Sequence, residues 1–275
     1  MIKLVHVALL FLAVGCAEPN SETNPDSKVW PTGHSEHQTR SFFDAIAMSS
    51  HSKEMSGLAF EILQSPGNEP IAALVVIDLE RFTPALLTAP SQGHSVQEIM
   101  TRSQASLVIG SGFVTDAQSL KPVGLLRVNN LDLTPLEPYG YTRILGFSEA
   151  GFVVRHRKNY VANAFTSAIQ AGPGIIEHGE LDISERDLQR PTYYRSFVAL
   201  CSDSTRVGVS TRPTHLRTLG QVLLKHFADN DLSCPEVVNL AGDRQAVLAV
   251  HDGRGFIYHG DITTPKATLL SFTAN

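Results

Sequence analysis

The sequence predicts an α+β domain built on a large mixed β-sheet with a few flanking helices. Three observations predict it: apolar stretches of strand length recur along the chain, helical patterns are few, and the two kinds follow one another in mixed order. The core can be sizeable, because 43% of the 275 residues are hydrophobic and 18% charged.

Residues 57–64 alternate, with Leu58, Phe60 and Ile62 on one face, as a half-buried strand does. Ser65-Pro66-Gly67-Asn68 is turn chemistry; residues 72–79 follow as a continuous apolar strand and 85–88 as a short one. Ser95 opens a helix to Arg102, with Glu98 placed three residues on for a capping box. A buried strand at 106–109 runs into Gly110-Ser111-Gly112-Phe113, and extended structure restarts at 122–126. Residues 144–147 and 151–155 read as a hairpin, and 163–170 as a short helix or strand leading into Ala171-Gly172-Pro173-Gly174. Ile175-Ile176, a turn at His178-Gly179 and a polar excursion over 180–192 come next. Strands at 196–200 and 206–210 pair, a helix spans about 219–228, and strands follow at 237–240, 246–250 and 255–258, the last two joined by an Asp252-Gly253 turn.

The N-terminus carries one charge at Lys3, an apolar run over 4–14 and then Gly15-Cys16-Ala17. This is the pattern of a secretory signal, too short for the roughly twenty residues a permanent membrane span needs. Ala13-Val14-Gly15-Cys16 resembles the lipobox of bacterial lipoproteins. That resemblance implies cleavage after residue 15, lipidation of Cys16 and anchoring to the membrane of the bacterial cell envelope, with Ala17 favouring the outer membrane. Residues 16–40 are polar and proline-bearing, so they read as a disordered tether that holds His34 and His37 in solvent; the domain is expected over 41–275. A net charge of −5 and a pI near 6.1 give no general attraction to nucleic acid, which is excluded as a partner. Cys201 and Cys234 form either a disulfide or two buried thiols, and with so few sulfurs no metal site is assigned; no cofactor is indicated.

Glycine-bearing turns at 110–112, 122–124, 171–174 and 240–243 adjoin strands, and such turns serve either as plain connections or as cradles of N–H groups for phosphate. Their order, Ile109-Gly110-Ser111-Gly112-Phe113, Pro122-Val123-Gly124-Leu125, Gln170-Ala171-Gly172-Pro173, the strand led by Arg195, a helix, and Asn239-Leu240-Ala241-Gly242, resembles the phosphodiester glycosidase family over about residues 55–272. The resemblance implies a phosphodiester-linked or otherwise phosphorylated sugar of envelope or exopolysaccharide as substrate, with Gly110, Ser111, Gln170, Gly172, Pro173, Arg195 and Gly242 binding it. Two family positions differ: Gly110 stands where the family has Asn, and Ala241 where it has Asp.

Breaking a sugar-1-phosphodiester needs donors for phosphate oxygens and a carboxylate for the developing positive charge or for water. Arg195 supplies the first need. Ala241 cannot supply the second, so Asp243 is the replacement acid, and the competing reading is a catalytically degenerate carbohydrate-binding protein. Ser111 lacks the spacing of a nucleophile elbow and reads as a turn serine. Asp78 reads as a strand-end backbone acceptor, and His251, Asp252, His259 and Asp261 as exposed hairpin residues.

Overall fold

The computed structural model describes residues 38–41, 57–88, 94–116, 119–148, 151–251, 253 and 255–275. The leader, Cys16, His34, His37 and Asp252 lie outside the described residues. The strands run β1 (Gln38–Ser41), β2 (Leu58–Gln64), β3 (Pro70–Ile77), β4 (Phe82–Thr88), β5 (Leu107–Ser111), β6 (Phe113–Val114), β7 (Pro122–Val123), β8 (Leu126–Val128), β9 (Leu131–Thr134) and β10 (Arg143–Ser148). They continue as β11 (Gly151–His156), β12 (Ser167–Ala171), β13 (Gly174–Glu177), β14 (Glu180–Leu181), β15 (Arg195–Leu200), β16 (Thr205–Ser210), β17 (Glu236–Gly242), β18 (Leu248–His251), β19 (Gly255–His259) and β20 (Thr268–Ala274). Helices α1 (Val96–Ser103) and α2 (Leu216–Asp229) complete the α+β composition among the described residues.

The strands divide into a six-stranded sheet (β1-β19-β18-β5-β20-β4), a five-stranded sheet (β11-β10-β12-β8-β9), a seven-stranded sheet (β14-β13-β17-β15-β16-β3-β2) and the ribbon β6-β7. Among the described residues every pairing is antiparallel except β1 with β19, which corrects the expectation of one large mixed sheet. The apolar runs that suggested such a sheet report burial on both faces, and that burial has another source here. In β3, Ala73, Val75 and Ile77 enter a core shared by all three large sheets, while Ile71, Ala72 and Leu74 face the layer under α2. In β5, Leu107 and Ile109 enter the shared core and Val108 packs toward α1. Residues 38–40, read as the end of the tether, already form β1.

The helices follow from local chemistry and from packing. Ser95 and Glu98 complete the capping box of α1. In α2, Leu216, Leu219, Gly220, Leu223 and Phe227 form one buried stripe at helical spacing. Its N-cap, His215, makes no side-chain cap bond; the Arg217 amide in its first turn donates instead to Asp187 Oδ2 at 2.9 Å. Strand β20 was not legible as a strand, because Thr268 and Ser271 give it a mixed pattern. Their hydroxyls are satisfied by the Ser111 and Ala85 carbonyls, so β20 sits as an interior strand between β5 and β4.

Two links brace the fold. Cys201 and Cys234 form a disulfide across a separation of 33 residues, fixing the end of β15 to the segment before β17. Arg143 on β10 is almost wholly buried and faces Asp182 at 2.8 Å, Glu177 at 3.1 Å and Glu236 at 3.9 Å. Burial pushes the Glu236 and Asp182 carboxyls above their usual range, and the Arg143 charge only partly opposes it.

Replacing both cysteines with alanine is expected to cost about 3–4 kcal/mol in chemical denaturation, the loop-closure value for this separation. For Glu236 the folded pKa is raised, so its contribution to stability is complete below the unfolded value and is lost as pH rises through the folded one. Glu236→Gln should therefore raise Tm near neutral pH, with the gain vanishing as pH falls to the ordinary carboxyl range. Melting curves at the two pH values check it.

Candidate functional site

Arg195 opens β15 and stands opposite Gly242, the last residue of β17. The guanidinium lies over Gly242, where a side-chain carbon would sit 3.4 Å from Nη1, at ordinary contact distance. The guanidinium carbon is 5.0 Å from the centre of the Tyr193 ring, within range of a cation–π contact. Its Nε is buried without an acceptor, and no carboxylate pairs with the guanidinium among the described residues. Burial lowers the Arg195 pKa, against the opposing fields of Asp187, Tyr193 and Asp243. Arginine stays charged through such a shift, so the position holds a partly desolvated cation with unused donors. The complement of that arrangement is an anion with planar or tetrahedral oxygens.

The backbone around Arg195 is fixed from several sides. Its N–H donates to Ser210 Oγ at 2.8 Å, and the Asp243 N–H donates to the Tyr194 carbonyl at 2.9 Å. A bulge in the β15–β17 ladder passes over Leu240, so that Ser196 meets Ala241 and Phe197 meets Asn239. Asp243 then turns the chain with φ 50° into a short 3-10 segment, Asp243–Gln245. Its carboxylate accepts no hydrogen bond among the described residues and borders a concave pocket of about 450 Å³. Tyr194, Ser210, Arg244, His259 and Asp261 line the same pocket. Ala241, where the sequence resemblance leads one to expect a carboxylate, is wholly buried.

His259, read from the sequence as an exposed hairpin residue, is half-buried in this pocket, its ring 6.4 Å from that of Tyr194. Burial pushes its pKa below the ordinary histidine value, against a hydrogen bond to backbone at Ser210, so the ring is neutral at pH 7. Burial pushes Asp261 up, but bonds from the Thr263 and Thr264 amides and the Thr263 hydroxyl outweigh it and hold the carboxyl at about 2. Lys266, wholly buried, donates to Thr264 Oγ1 at 2.8 Å; burial lowers its pKa, against the field of Asp261.

The remaining sequence-selected residues belong to the framework and not to the pocket lining. The Gln170 amide is spent on backbone: Oε1 accepts from Leu125 and Glu137 at 3.0 and 2.9 Å, and Nε2 donates to the carbonyls of Glu137 and Tyr141 at 2.7 and 2.8 Å. Gly110 and Ser111 lie in the interior strand β5; any side chain at Gly110 would overlap the Gln245 carbonyl, and Ser111 Oγ is buried without a partner. Gly172, with φ 123°, is required where its backbone passes Thr142, and its carbonyl accepts from Asn239 Nδ2 at 3.0 Å. Pro173 accepts from the Asn239 amide at 3.2 Å. Ser196 Oγ donates to the Gly110 carbonyl at 2.7 Å, and strand alternation sends the Arg195 side chain to the opposite face. The structure thus gathers Arg195, Gly242 and Asp243 at one point. It stitches Gly172–Pro173 and Gly110 to the same two strands without bringing them to the guanidinium. Asp78 accepts from the Glu80 amide, as a strand-end residue. Sequence reasoning missed Tyr193, Tyr194, Asp187 and Ser210: the two tyrosines precede Arg195 directly, while Asp187 and Ser210 carry no local signal.

No family model and no curated protein matches the chain. Among solved structures it is similar to the zebrafish N-acetylglucosamine-1-phosphodiester alpha-N-acetylglucosaminidase catalytic domain, auto-inhibited by its pro-peptide, with a TM-score of 0.59 and 11% identity over 82% of this chain and 85% of that one. It is also similar to a hypothetical protein from Synechocystis, with a TM-score of 0.55 and 13% identity over 79% of this chain; there it spans 62% of the other chain's length. At these identities the likeness shows the fold alone: this chain's fold resembles that of the zebrafish catalytic domain.

Proposed function

We propose that the chain is a lipid-anchored protein of the bacterial cell envelope that hydrolyses phosphodiester-linked glycosides of envelope or exopolysaccharide. The observation that carries this reading is the Arg195 guanidinium, partly desolvated, unpaired and seated over Gly242 beside Asp243. In the reaction Arg195 holds the phosphate oxygens as the bond to the sugar breaks, and Asp243 meets the charge that develops on the sugar or orients water. The likeness to the zebrafish domain supports the substrate class. The Cys201–Cys234 disulfide supports an oxidising compartment, as does the signal pattern ending at Cys16. A second reading, a binding protein without catalysis, is favoured by one observation: the family's carboxylate position is the buried Ala241.

A chromogenic sugar phosphodiester separates the two. Under the hydrolase reading Arg195→Ala lowers kcat/KM about 10²–10³-fold, the loss typical of one charge-stabilising donor, and Arg195→Lys restores part of it. Asp243→Asn lowers kcat at nearly constant KM. Saturable binding without turnover, abolished by Arg195→Ala, establishes the second reading instead. Anchoring is tested separately: the full chain made in a bacterium should enter the detergent phase on Triton X-114 partition, and Cys16→Ser should move it to the aqueous phase.

A further inference from the structure

The Arg195 guanidinium answers to a phosphate but not to the sugar attached to it, and the side chain that shares its face is aromatic. Tyr193, in a β-bridge with Thr214, and Arg195, the first residue of β15, lie two residues apart on one face. The guanidinium carbon is 5.0 Å from the centre of the Tyr193 ring. Tyr194, between them, points the other way and lines the pocket with His259. The Tyr193 backbone is held from both sides: its N–H donates to the Thr214 carbonyl at 3.4 Å, and its carbonyl accepts the Thr214 N–H at 2.9 Å. Thr214 is itself buried just ahead of α2, whose first turn is tied to Asp187 through the Arg217 amide. Tyr193 is nonetheless 37% exposed. A fixed aromatic side chain, open to solvent, therefore stands beside a cation that no carboxylate neutralises among the described residues.

We infer that Tyr193 is the sugar platform of the Arg195 site: a pyranose packs its apolar face on the part of the ring that the guanidinium leaves uncovered, while its 1-phosphate lies on the Nη groups. The inference deepens the reading of Arg195 as the phosphate-binding residue and rests on it. In a sugar-1-phosphate one bridging oxygen separates the phosphorus from the pyranose, so a phosphate on the guanidinium brings the sugar beside the neighbouring ring. A pyranose presents C–H groups on its faces and hydroxyls around its edge. Tyrosine matches both, with an apolar ring face and a polar tip. The negative ring face that attracts the guanidinium also suits the weakly positive C–H groups of the sugar. Inorganic phosphate would meet Arg195 alone. Tyr193 thus gives the site its preference for a glycosyl phosphate over the bare anion.

The test compares the dissociation constants of glucose 1-phosphate and inorganic phosphate, measured by titration calorimetry on the full chain. The proteins are wild type, Tyr193→Phe, Tyr193→Leu, Tyr193→Ala and Arg195→Ala. Wild type should bind glucose 1-phosphate the more tightly. Tyr193→Leu and Tyr193→Ala should weaken that ligand about tenfold, the worth of one aromatic contact, and leave inorganic phosphate unchanged. Tyr193→Phe keeps the ring and should keep the preference. Matched melting curves verify the fold, and the phenylalanine and leucine variants, which keep the bulk, carry the comparison should the alanine variant unfold. Equal losses for both ligands in Tyr193→Leu mean that the ring only orients Arg195, and overturn this inference alone. So does a preference lost in Tyr193→Phe, or Arg195-dependent binding in which wild type does not distinguish the two ligands. Phosphate affinity that survives Arg195→Ala, or a wild type that binds neither ligand, overturns the phosphate-binding role of Arg195 and this inference with it.

Discussion

Arg195 and Gly242 share one rung of the β15–β17 ladder, and the candidate site depends on that rung. A side-chain carbon at 242 would meet Nη1 of Arg195 at ordinary contact distance. The bulge over Leu240 lets Ser196 keep its bond to Gly110 in the interior while Gly242 and Asp243 emerge beside Arg195. From there the Asp243 turn and the end of β19 close the pocket around Tyr194 and His259. The interior strands, the shared core and the Asn239 stitch to Gly172 all serve to hold these two strand ends still.

A cation held partly from water without a partner is a cost to folding. Burial of charge is a cost also at the other polar centre, where Arg143 faces three carboxylates. The two differ in their wiring. Arg143 is paired and locks β10 to β13 and β17, whereas Arg195 leaves its buried Nε without an acceptor. Paired burial describes a structural clamp; the unpaired burial of Arg195 is what the proposed anion site rests on.

Much of the scaffold was legible. The alternation of β2, the capping box of α1, the hairpin of β10 with β11 and the pairing of β15 with β16 are local features, and local chemistry determines them. The division into three sheets was not legible, because apolar patterning reveals which faces are buried and not which strands pair. The start of α2 was hidden for a related reason: its amide partner, Asp187, lies about thirty residues upstream. At the site, Arg195, Gly242 and Asp243 were found through the order of motifs. Gln170 matched the motif equally well, yet its amide is consumed by the backbone at 125, 137 and 141. His259 was set aside as a hairpin residue because burial by Tyr194 and Ser210 is a tertiary fact.

The central claim is that the Arg195 guanidinium is an anion receptor, and the most direct measurement observes its own Nε–H. In a ¹⁵N-resolved NMR titration of the full chain with a sugar-1-phosphate, assigned by the Arg195→Lys variant, that resonance should shift saturably as the phosphate binds the Nη groups of the same guanidinium. A resonance that stays fixed while the ligand perturbs other parts of the domain would contradict the account.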